Sequence, residues 1–396
     1  MIFKDDLFQA QWLRTAGHAS YGGAEIGECL AIARQITEPD PVSWRDAWAG
    51  AAERLSAAAY VSLEDGRTVS ALGGYLRASN YWRAAYTFMM SAPVDRRVVD
   101  AYRRQRAAFE GAAALMRPTA ERISIPYEDG SLHGYFFRGA DAGSPRPTLI
   151  VNGGYDSTAE ECFFFGGAAA VSRGYHCIVF DGPGQGGAII EDGRVFRPDW
   201  EAVIRPVVDY AVARPEVDAA RIALMGVSFG GYLAPRGASG DDRIAALIAD
   251  PGELSLLDEF KTRMPAFMAK QIPRGNPLIL ALLGLILRHR IRQVTPGWGL
   301  RRCLWVHGAK GPLDYLRMTE GYSVKGRIGG IRCPTLICSA EDDEIGATAR
   351  ALYEALDCQK TFVAFKSDEG AGAHCEDGAR ALFNQRAFDW LDRQFG

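Results

Sequence analysis

The 396-residue sequence has little that would mark a secreted, membrane-spanning or metal-binding protein. Its longest apolar run, residues 277–287, is much shorter than the roughly 20 apolar residues that cross a bilayer. No apolar segment of signal-peptide length opens the chain. The eight cysteines form neither a C-x-x-C pair nor a cysteine–histidine cluster at zinc spacing. We therefore expect reduced thiols, a cytoplasmic location, no metal and no membrane partner, and we interpret the apolar run as a buried helix or a pocket lining.

Strong charge of one sign is also absent. The net charge is −3, so the chain as a whole has no positive field for nucleic acid, and the arginine-rich stretch 288–292 is interpreted as solvated surface. The glycine-rich turn 181–186 lacks the Gly-Lys-Ser/Thr ending of a phosphate loop. These absences favour a protein without a cofactor, whose partner is a small-molecule substrate.

The patterns that are present divide the chain into three regions. Residues 1–120 hold long alanine-rich stretches with apolar residues at helical spacing. From residue 121 onward, a β-hairpin pattern and six short apolar runs alternate with helical patterns, which favours an α/β fold with a mainly parallel sheet. Residues 253–327 interrupt this alternation and are predicted to form a helical cap. The predicted catalytic domain therefore comprises residues 121–252 and 328–396.

One serine stands where a strand is predicted to turn into a helix. Ser228 lies in the sequence Gly-Val-Ser-Phe-Gly at 226–230, directly after the apolar run 222–225. This context is typical of a nucleophile elbow, in which a sharp turn exposes the hydroxyl at the end of the sheet. The N-terminus of the following helix would then face the developing negative charge, and the N–H of Phe229 would serve as one oxyanion donor.

A serine nucleophile needs a base and an acid that orients the base. His374 lies in a loop of small residues after the last predicted strand and is the predicted base. His307 is interpreted as a pocket or packing residue of the cap. The acid is expected after the penultimate strand, where the spacing of small and apolar residues selects Asp343, with Asp342 as the alternative.

The second oxyanion donor is expected in the loop that follows the run 148–151. That loop reads Asn-Gly-Gly-Tyr-Asp at 152–156, and its glycines leave backbone N–H groups free to point inward. Gly154 and Tyr155 are both candidates, and the sequence does not choose between them.

The serine elbow, the turn at 181–186 and the late aspartate and histidine together resemble the α/β-hydrolase superfamily. The stretches 75–83, 152–157 with Glu160 and Glu161, and 369–376 further resemble the group that contains 2,6-dihydroxypseudooxynicotine hydrolase, the fungal yellowish-green polyketide-shortening hydrolases and FrsA-like esterases. The resemblance implies a helical N-terminal region that acts as a lid or in dimerisation. It also implies a serine hydrolase of esters or of C–C bonds beside a ketone, with Ser228, Asp343 and His374 as nucleophile, acid and base.

Several residues are possible contributors to the substrate site, and the chain is expected to form a homodimer. The stretch 75–83 would line the pocket or form the dimer contact. The aromatic residues of the cap suggest an apolar, aromatic or polyketide-like substrate, or else form the core of the cap. An acyltransferase with the same triad and a non-catalytic binding protein are the alternative functions. The candidate carboxylates and aromatics are Asp156, Glu253, Asp258, Glu259, Trp298, Trp305, Tyr315 and Tyr322.

Overall fold

The computed structural model describes residues 1–139, 144–272 and 275–396. Its centre is a single eight-stranded sheet with the order β1-β2-β4-β3-β5-β6-β7-β8. The strands are β1 (Glu121–Tyr127), β2 (Gly130–Phe137), β3 (Arg146–Asn152), β4 (His176–Phe180), β5 (Val217–Val227), β6 (Ile244–Asp250), β7 (Thr335–Ala340) and β8 (Lys360–Phe365).

The sheet is antiparallel at one edge and parallel elsewhere. Strands β1 and β2 form a hairpin, β2 pairs antiparallel with β4, and every later pairing is parallel. Strand β4 is buried at every position, as expected for a strand covered by helices on both faces. The predicted fold class is confirmed, and each of the six short apolar runs that alternate with helical patterns lies within a strand.

Five helices precede the sheet. Aspartates at positions 5, 40 and 95 accept hydrogen bonds from the first free amides of α1, α3 and α5, so local sequence explains where these three begin. The stretch 75–83 lies in α4, and its second half is buried against α1 and the sheet domain rather than exposed. The helices are α1 (Asp6–Gly17), α2 (Ile26–Ala33), α3 (Pro41–Glu64), α4 (Thr68–Tyr86) and α5 (Arg96–Leu115).

Helices cover both faces of the sheet and connect its parallel strands. Between β3 and β6 these are α6 (Ala159–Cys162), α7 (Ala168–Ser172), α8 (Gly186–Ile190), α9 (Glu201–Val212) and α10 (Gly230–Ala238). The segment between β6 and β7 is helical, as the sequence predicts, and we call it the cap. It contains α11 (Leu256–Thr262), α12 (Ala266–Ala269), α13 (Pro277–Arg290), α14 (Val294–Val306) and α15 (Pro312–Met318). Helices α16 (Ala349–Ala355) and α17 (Arg380–Phe395) complete the fold.

The apolar run 277–287 forms most of α13, and its interpretation as a buried helix or pocket lining is wrong for one face. Leu283 and Leu287 are buried in a small cap cluster, whereas Leu278 is 80% exposed. The run is apolar all round, but among the described residues only one side of the helix has a packing partner. Among the described residues, no helix combines the length and apolar character needed to cross a membrane.

Candidate active site

Ser228 lies in the tight turn between β5 and α10. Its backbone has a φ of +59°, a left-handed conformation that residues with a side chain rarely adopt. The turn is held by the N–H of Ser228, which donates to the carbonyl of Asp250 at 2.7 Å. A β-carbon at Gly226 would overlap the backbone carbonyl of Gly230, so the close approach requires glycine there. The strained turn leaves Ser228 only half-buried at the carboxyl end of the sheet.

His374 connects Ser228 to a carboxylate. It follows β8 and begins a short 3-10 turn, His374–Glu376. Its Nε2 lies 2.9 Å from the Oγ of Ser228, and its Nδ1 lies 2.8 Å from Oδ2 of Asp343. The other oxygen of Asp343 accepts from the N–H of Ile345 at 2.8 Å. An imidazole that donates its Nδ1–H to the carboxylate presents Nε2 as an acceptor to the serine hydroxyl.

The electrostatics of the pair favour an ionised acid and a basic imidazole. Burial alone would lower the pKa of His374, but the Asp343 carboxylate outweighs it and raises that pKa above its ordinary value. Burial would likewise raise the pKa of Asp343, but His374 and the hydrogen bonds to the carboxylate lower it. Asp342, the alternative acid, is exposed and bonds to Ser367 instead of the histidine.

The loop after β3 passes directly over Ser228. A β-carbon at Gly154 would lie 2.7 Å from Cβ of Ser228 and 2.9 Å from N of Phe229, so only glycine fits at this contact. The N–H of Gly154 is already engaged, because it donates to Oγ of Ser157 at 3.0 Å. Within the described ranges, the N–H groups of Tyr155 and Phe229 have no hydrogen-bond acceptor. These two amides are therefore the ones available to a ligand.

The side chain of Tyr155 connects this loop to the cap. Its ring stacks on Phe229 with centroids 4.3 Å apart. Its hydroxyl lies 3.1 Å from Nε2 of His307 and 3.2 Å from the hydroxyl of Tyr315. Burial lowers the pKa of His307 to about 3, so this imidazole is neutral at ordinary pH. Four aromatic residues of the cap, Trp298, Trp305, Tyr315 and Tyr322, are buried.

Asp156, a predicted substrate contact, forms ion pairs with three arginines. Its carboxylate lies 3.1 Å from Arg14, 3.2 Å from Arg83 and 2.9 Å from Arg302, and it is 4% exposed. Arg14 also forms a two-point ion pair with Glu161, through Nε at 2.9 Å and Nη2 at 2.6 Å. We call these five side chains the arginine cluster. It joins α1, α4, the loop after β3 and the cap, so Asp156 is placed to hold the loop rather than a substrate.

Three cap carboxylates differ in their surroundings. Glu253 is buried, and its Oε1 has no hydrogen-bond partner in the described chain. Glu259 is also buried and accepts from the N–H of Thr348 at 2.7 Å. Burial raises the pKa of both, that of Glu253 well above its ordinary value. Asp258 instead forms ion pairs with Lys261 and Lys325 and is excluded from this buried group.

Comparison with protein families agrees with this geometry. Residues 148–383 match the model of the alpha/beta hydrolase family, and residues 37–254 match the FrsA-like esterase model. The protein belongs to the alpha/beta hydrolase family. Hydrolase LUC6 of a Fusarium species is 34% identical, over 100% of this chain and 98% of its own length. The 20-hydroxy-prefusarin hydrolase FUS2 of Gibberella moniliformis is also 34% identical, with the same coverage.

A solved structure shares the fold of this alpha/beta hydrolase. The crystal structure of 2,6-dihydroxy-pseudo-oxynicotine hydrolase superposes with a TM-score of 0.75 at 21% identity, over 95% of this chain and 94% of that one. Together with the family models and the fungal relatives, this likeness confirms the predicted group, and the relatives and family models confirm the prediction of a hydrolase.

Sequence reasoning missed two features of this hydrolase. The arginine cluster was not predicted, because Arg14 and Arg83 lie far from Asp156 in the chain and their pattern is that of ordinary helical surface. The hydrogen bond between His307 and Tyr155 was also missed, although the isolated histidine in an apolar segment was noticed. Among the described residues, no group of three or more histidine, cysteine, aspartate or glutamate side chains is arranged to hold a metal ion.

Proposed function

We propose that this alpha/beta hydrolase cleaves an ester, or a C–C bond next to a ketone, with Ser228 as nucleophile, His374 as base and Asp343 as the orienting acid. The observation that carries the proposal is the continuous hydrogen-bonded line from Oγ of Ser228 through His374 to Asp343, at 2.9 and 2.8 Å. These distances fall in the range that a nucleophile–base pair requires.

The proposed reaction proceeds through an acyl-enzyme. Nε2 of His374 takes the proton of Ser228 as Oγ bonds to the substrate carbonyl carbon, and Asp343 stabilises the imidazolium. The imidazolium then protonates the leaving group as the bond to it breaks. Water, deprotonated by His374, attacks the acyl carbon and releases the acid and the free serine.

The oxyanion formed in each step is proposed to bind the N–H groups of Phe229 and Tyr155. Two observations support this choice over Gly154. The N–H of Gly154 donates to Ser157, whereas the other two amides have no acceptor among the described residues. Removing one oxyanion donor typically costs roughly 100- to 1,000-fold in rate.

The nature of the bond cleaved depends on the proton donor. An ester releases an alcohol, whereas C–C cleavage releases a carbanion equivalent that must be protonated. For C–C cleavage Glu253 is a candidate donor to the carbanion carbon, because burial and the neighbouring Glu259 raise its pKa. The His374 imidazolium would then return its proton to the Glu253 carboxylate, so that the imidazole is free to deprotonate water. The aromatic residues around Tyr155 and Phe229 support an apolar substrate. A relative whose name makes it a hydrolase of 20-hydroxy-prefusarin supports the hydrolase class.

The test is turnover of short aryl esters and of β-diketones or acyl-phenols by wild type, Ser228→Ala and Glu253→Gln. We expect Ser228→Ala to lose at least about 10⁴-fold in kcat on whichever panel is cleaved. Ser172→Ala, which changes an exposed serine, is the matched control and should leave turnover unchanged.

Each outcome separates the alternatives. Cleavage of diketones alone, lost in both Ser228→Ala and Glu253→Gln, indicates a C–C hydrolase. Ester cleavage that survives Glu253→Gln indicates an esterase. Faster acyl transfer to an added alcohol or amine than to water indicates an acyltransferase. Turnover that is unchanged in Ser228→Ala, or a Ser228 that does not react with a fluorophosphonate, contradicts the proposed triad and favours a binding protein.

We also propose that the hydrolase acts as a cytoplasmic homodimer. Exposed apolar residues on α3 and α4, among them Tyr60 at 57% and Val69 at 84%, support an association surface there. Light scattering on the purified chain tests the dimer, and cell fractionation tests the location.

A further inference from the structure

The cap has an unusual charge distribution. Residues 260–313 contain ten lysines and arginines and no aspartate or glutamate, although the whole chain carries a net charge of −3. The rest of the molecule therefore carries a net negative charge. Among the described residues, two of the ten cations form ion pairs outside the segment, Lys261 with Asp258 and Arg302 with Asp156, and the other eight leave an excess of positive charge on it. A region of this kind attracts an anionic partner and repels a second region of the same sign.

The outer side of α13 adds an apolar face to this basic region. Leu278 is 80% exposed, Leu282 47%, Leu285 63% and Ile286 47%. With about 3.6 residues per turn, these four positions form a single row along the helix. Leu283 and Leu287 point to the opposite side and are buried in the cap. We call the exposed row the outer face of α13.

Basic side chains frame the end of this row. Arg288, His289 and Arg290 form the last turn of α13, Arg292 follows it, and all four are exposed. By helical geometry His289 continues the row, and Arg288 and Arg290 lie on either side of it. The long arginine side chains can extend beside an apolar surface while their guanidinium groups stay in a polar layer.

We propose that the outer face of α13 docks on the surface of a membrane that contains anionic lipids. The aliphatic row would lie at the boundary of headgroups and acyl chains, and the arginines would contact the lipid phosphates and carboxylates. A helix with an apolar face and a basic rim binds membranes in this orientation without spanning them.

Two observations favour a lipid surface over a protein. A symmetric contact between two copies of α13 would bring the basic segments of both chains together, with no acidic residue in 260–313 to neutralise them. The exposed row also consists only of leucine and isoleucine, whereas protein interfaces are enriched in aromatic residues. The sequence-based expectation of no membrane partner rests on the length of the run, and a surface contact requires no spanning segment.

The test is co-sedimentation of the full chain with vesicles of phosphatidylcholine alone and of phosphatidylcholine with phosphatidylserine. We expect binding to the anionic vesicles that weakens as salt is raised, and at least tenfold weaker binding to the neutral ones. This measurement is independent of turnover, so it can fail while the proposed triad holds, and the reverse.

Two variants separate the parts of the docking surface. Leu278→Ser with Leu285→Ser should weaken binding to anionic vesicles at least tenfold. Arg288→Gln with Arg290→Gln and Arg292→Gln should weaken it about 100-fold, because each basic residue near the surface contributes roughly fivefold. Ile26→Ser and Arg96→Gln change exposed residues outside the cap and are the matched controls.

Three results would overturn the proposal. The first is equal binding of wild type and both variants, and the second is equal binding to neutral and anionic vesicles. The third is an absence of vesicle binding together with a dimer in light scattering that the leucine variant abolishes. That result would assign the outer face of α13 to self-association. Circular dichroism of each variant verifies that loss of binding is not loss of fold.

Discussion

Two groups of buried carboxylates flank the candidate active site, and their surroundings are opposite. Asp156 and Glu161 face three arginines, and the pKa of Glu161 is held at about 2 even though burial alone would raise it. Glu253 and Glu259 are equally buried but have no ion-pair partner in the described ranges. Burial, their mutual repulsion and Asp343 raise the pKa of Glu253, and Arg263 opposes this only in part.

The comparison shows that burial does not determine the charge of a carboxylate. Similar burial accompanies lowered pKa values in one pair and raised pKa values in the other, because only the first pair forms ion pairs with arginines. The pair with lowered pKa values connects α1, α4 and the cap to the loop after β3, which suits a structural task. The pair in the cap, with raised pKa values, suits a task in which a proton is donated.

The largest effect on the free energy of unfolding is expected from removing one arginine of the arginine cluster. Arg83 is 1% exposed and contacts Asp156 at 3.2 Å and Glu161 at 3.3 Å. Arg83→Met should lower the free energy of unfolding by about 3–5 kcal/mol, since it leaves buried carboxylates with too few cations. Urea denaturation measures this change.

The control for that substitution is a surface pair. Arg67, which is 66% exposed beside Asp65, should contribute less than about 1 kcal/mol, so Arg67→Met should leave the urea midpoint nearly unchanged. A similar loss in both variants would mean that the arginine cluster has no special role.

A somewhat smaller effect on the free energy of unfolding is expected when the pH is lowered. Because the folded pKa of Glu161 is about 2, below its ordinary value of 4.5, its contribution to stability is present above the ordinary value. That contribution, on the order of 3 kcal/mol, should be lost as pH falls from about 5 towards 2. Urea denaturation at pH 5 and pH 2 measures it, and a Glu161→Gln variant whose stability falls just as steeply would contradict the assignment.

The smallest effect on the free energy of unfolding is expected from substituting Glu253. Its folded pKa is raised, so its contribution to stability is complete below the ordinary pKa and is lost as pH rises. Glu253→Gln should therefore match wild type within about 1 kcal/mol at pH 4. Above that pH it should become relatively more stable, by at most about 1.4 kcal/mol for each pH unit.

Urea denaturation from pH 4 to pH 6 measures this change in the stability of Glu253→Gln relative to wild type. Glu369→Gln is a suitable reference, because Glu369 lies on the surface, where Arg386 lowers its pKa. A Glu253→Gln variant that is less stable than wild type throughout would mean that Glu253 is ionised in the folded protein.

The candidate triad was predictable because each member has a local signal. Ser228, Asp343 and His374 each follow a strand of the sheet, and parallel strands bring such positions to one edge. The environment of Asp156 was not predictable, since its three arginines come from segments as distant as α1 and the cap. The exposed side of α13 was missed for a related reason: an apolar run alone does not reveal whether a partner covers it.

Tyr155 takes part in two arrangements at once. Its amide is one of the proposed oxyanion donors, and its hydroxyl bonds to His307 and Tyr315 of the cap. Any outward swing of α14 and α15 that admits a molecule would also withdraw two hydrogen bonds from this residue. Movement of the cap and the position of the proposed oxyanion amide are therefore coupled through one residue.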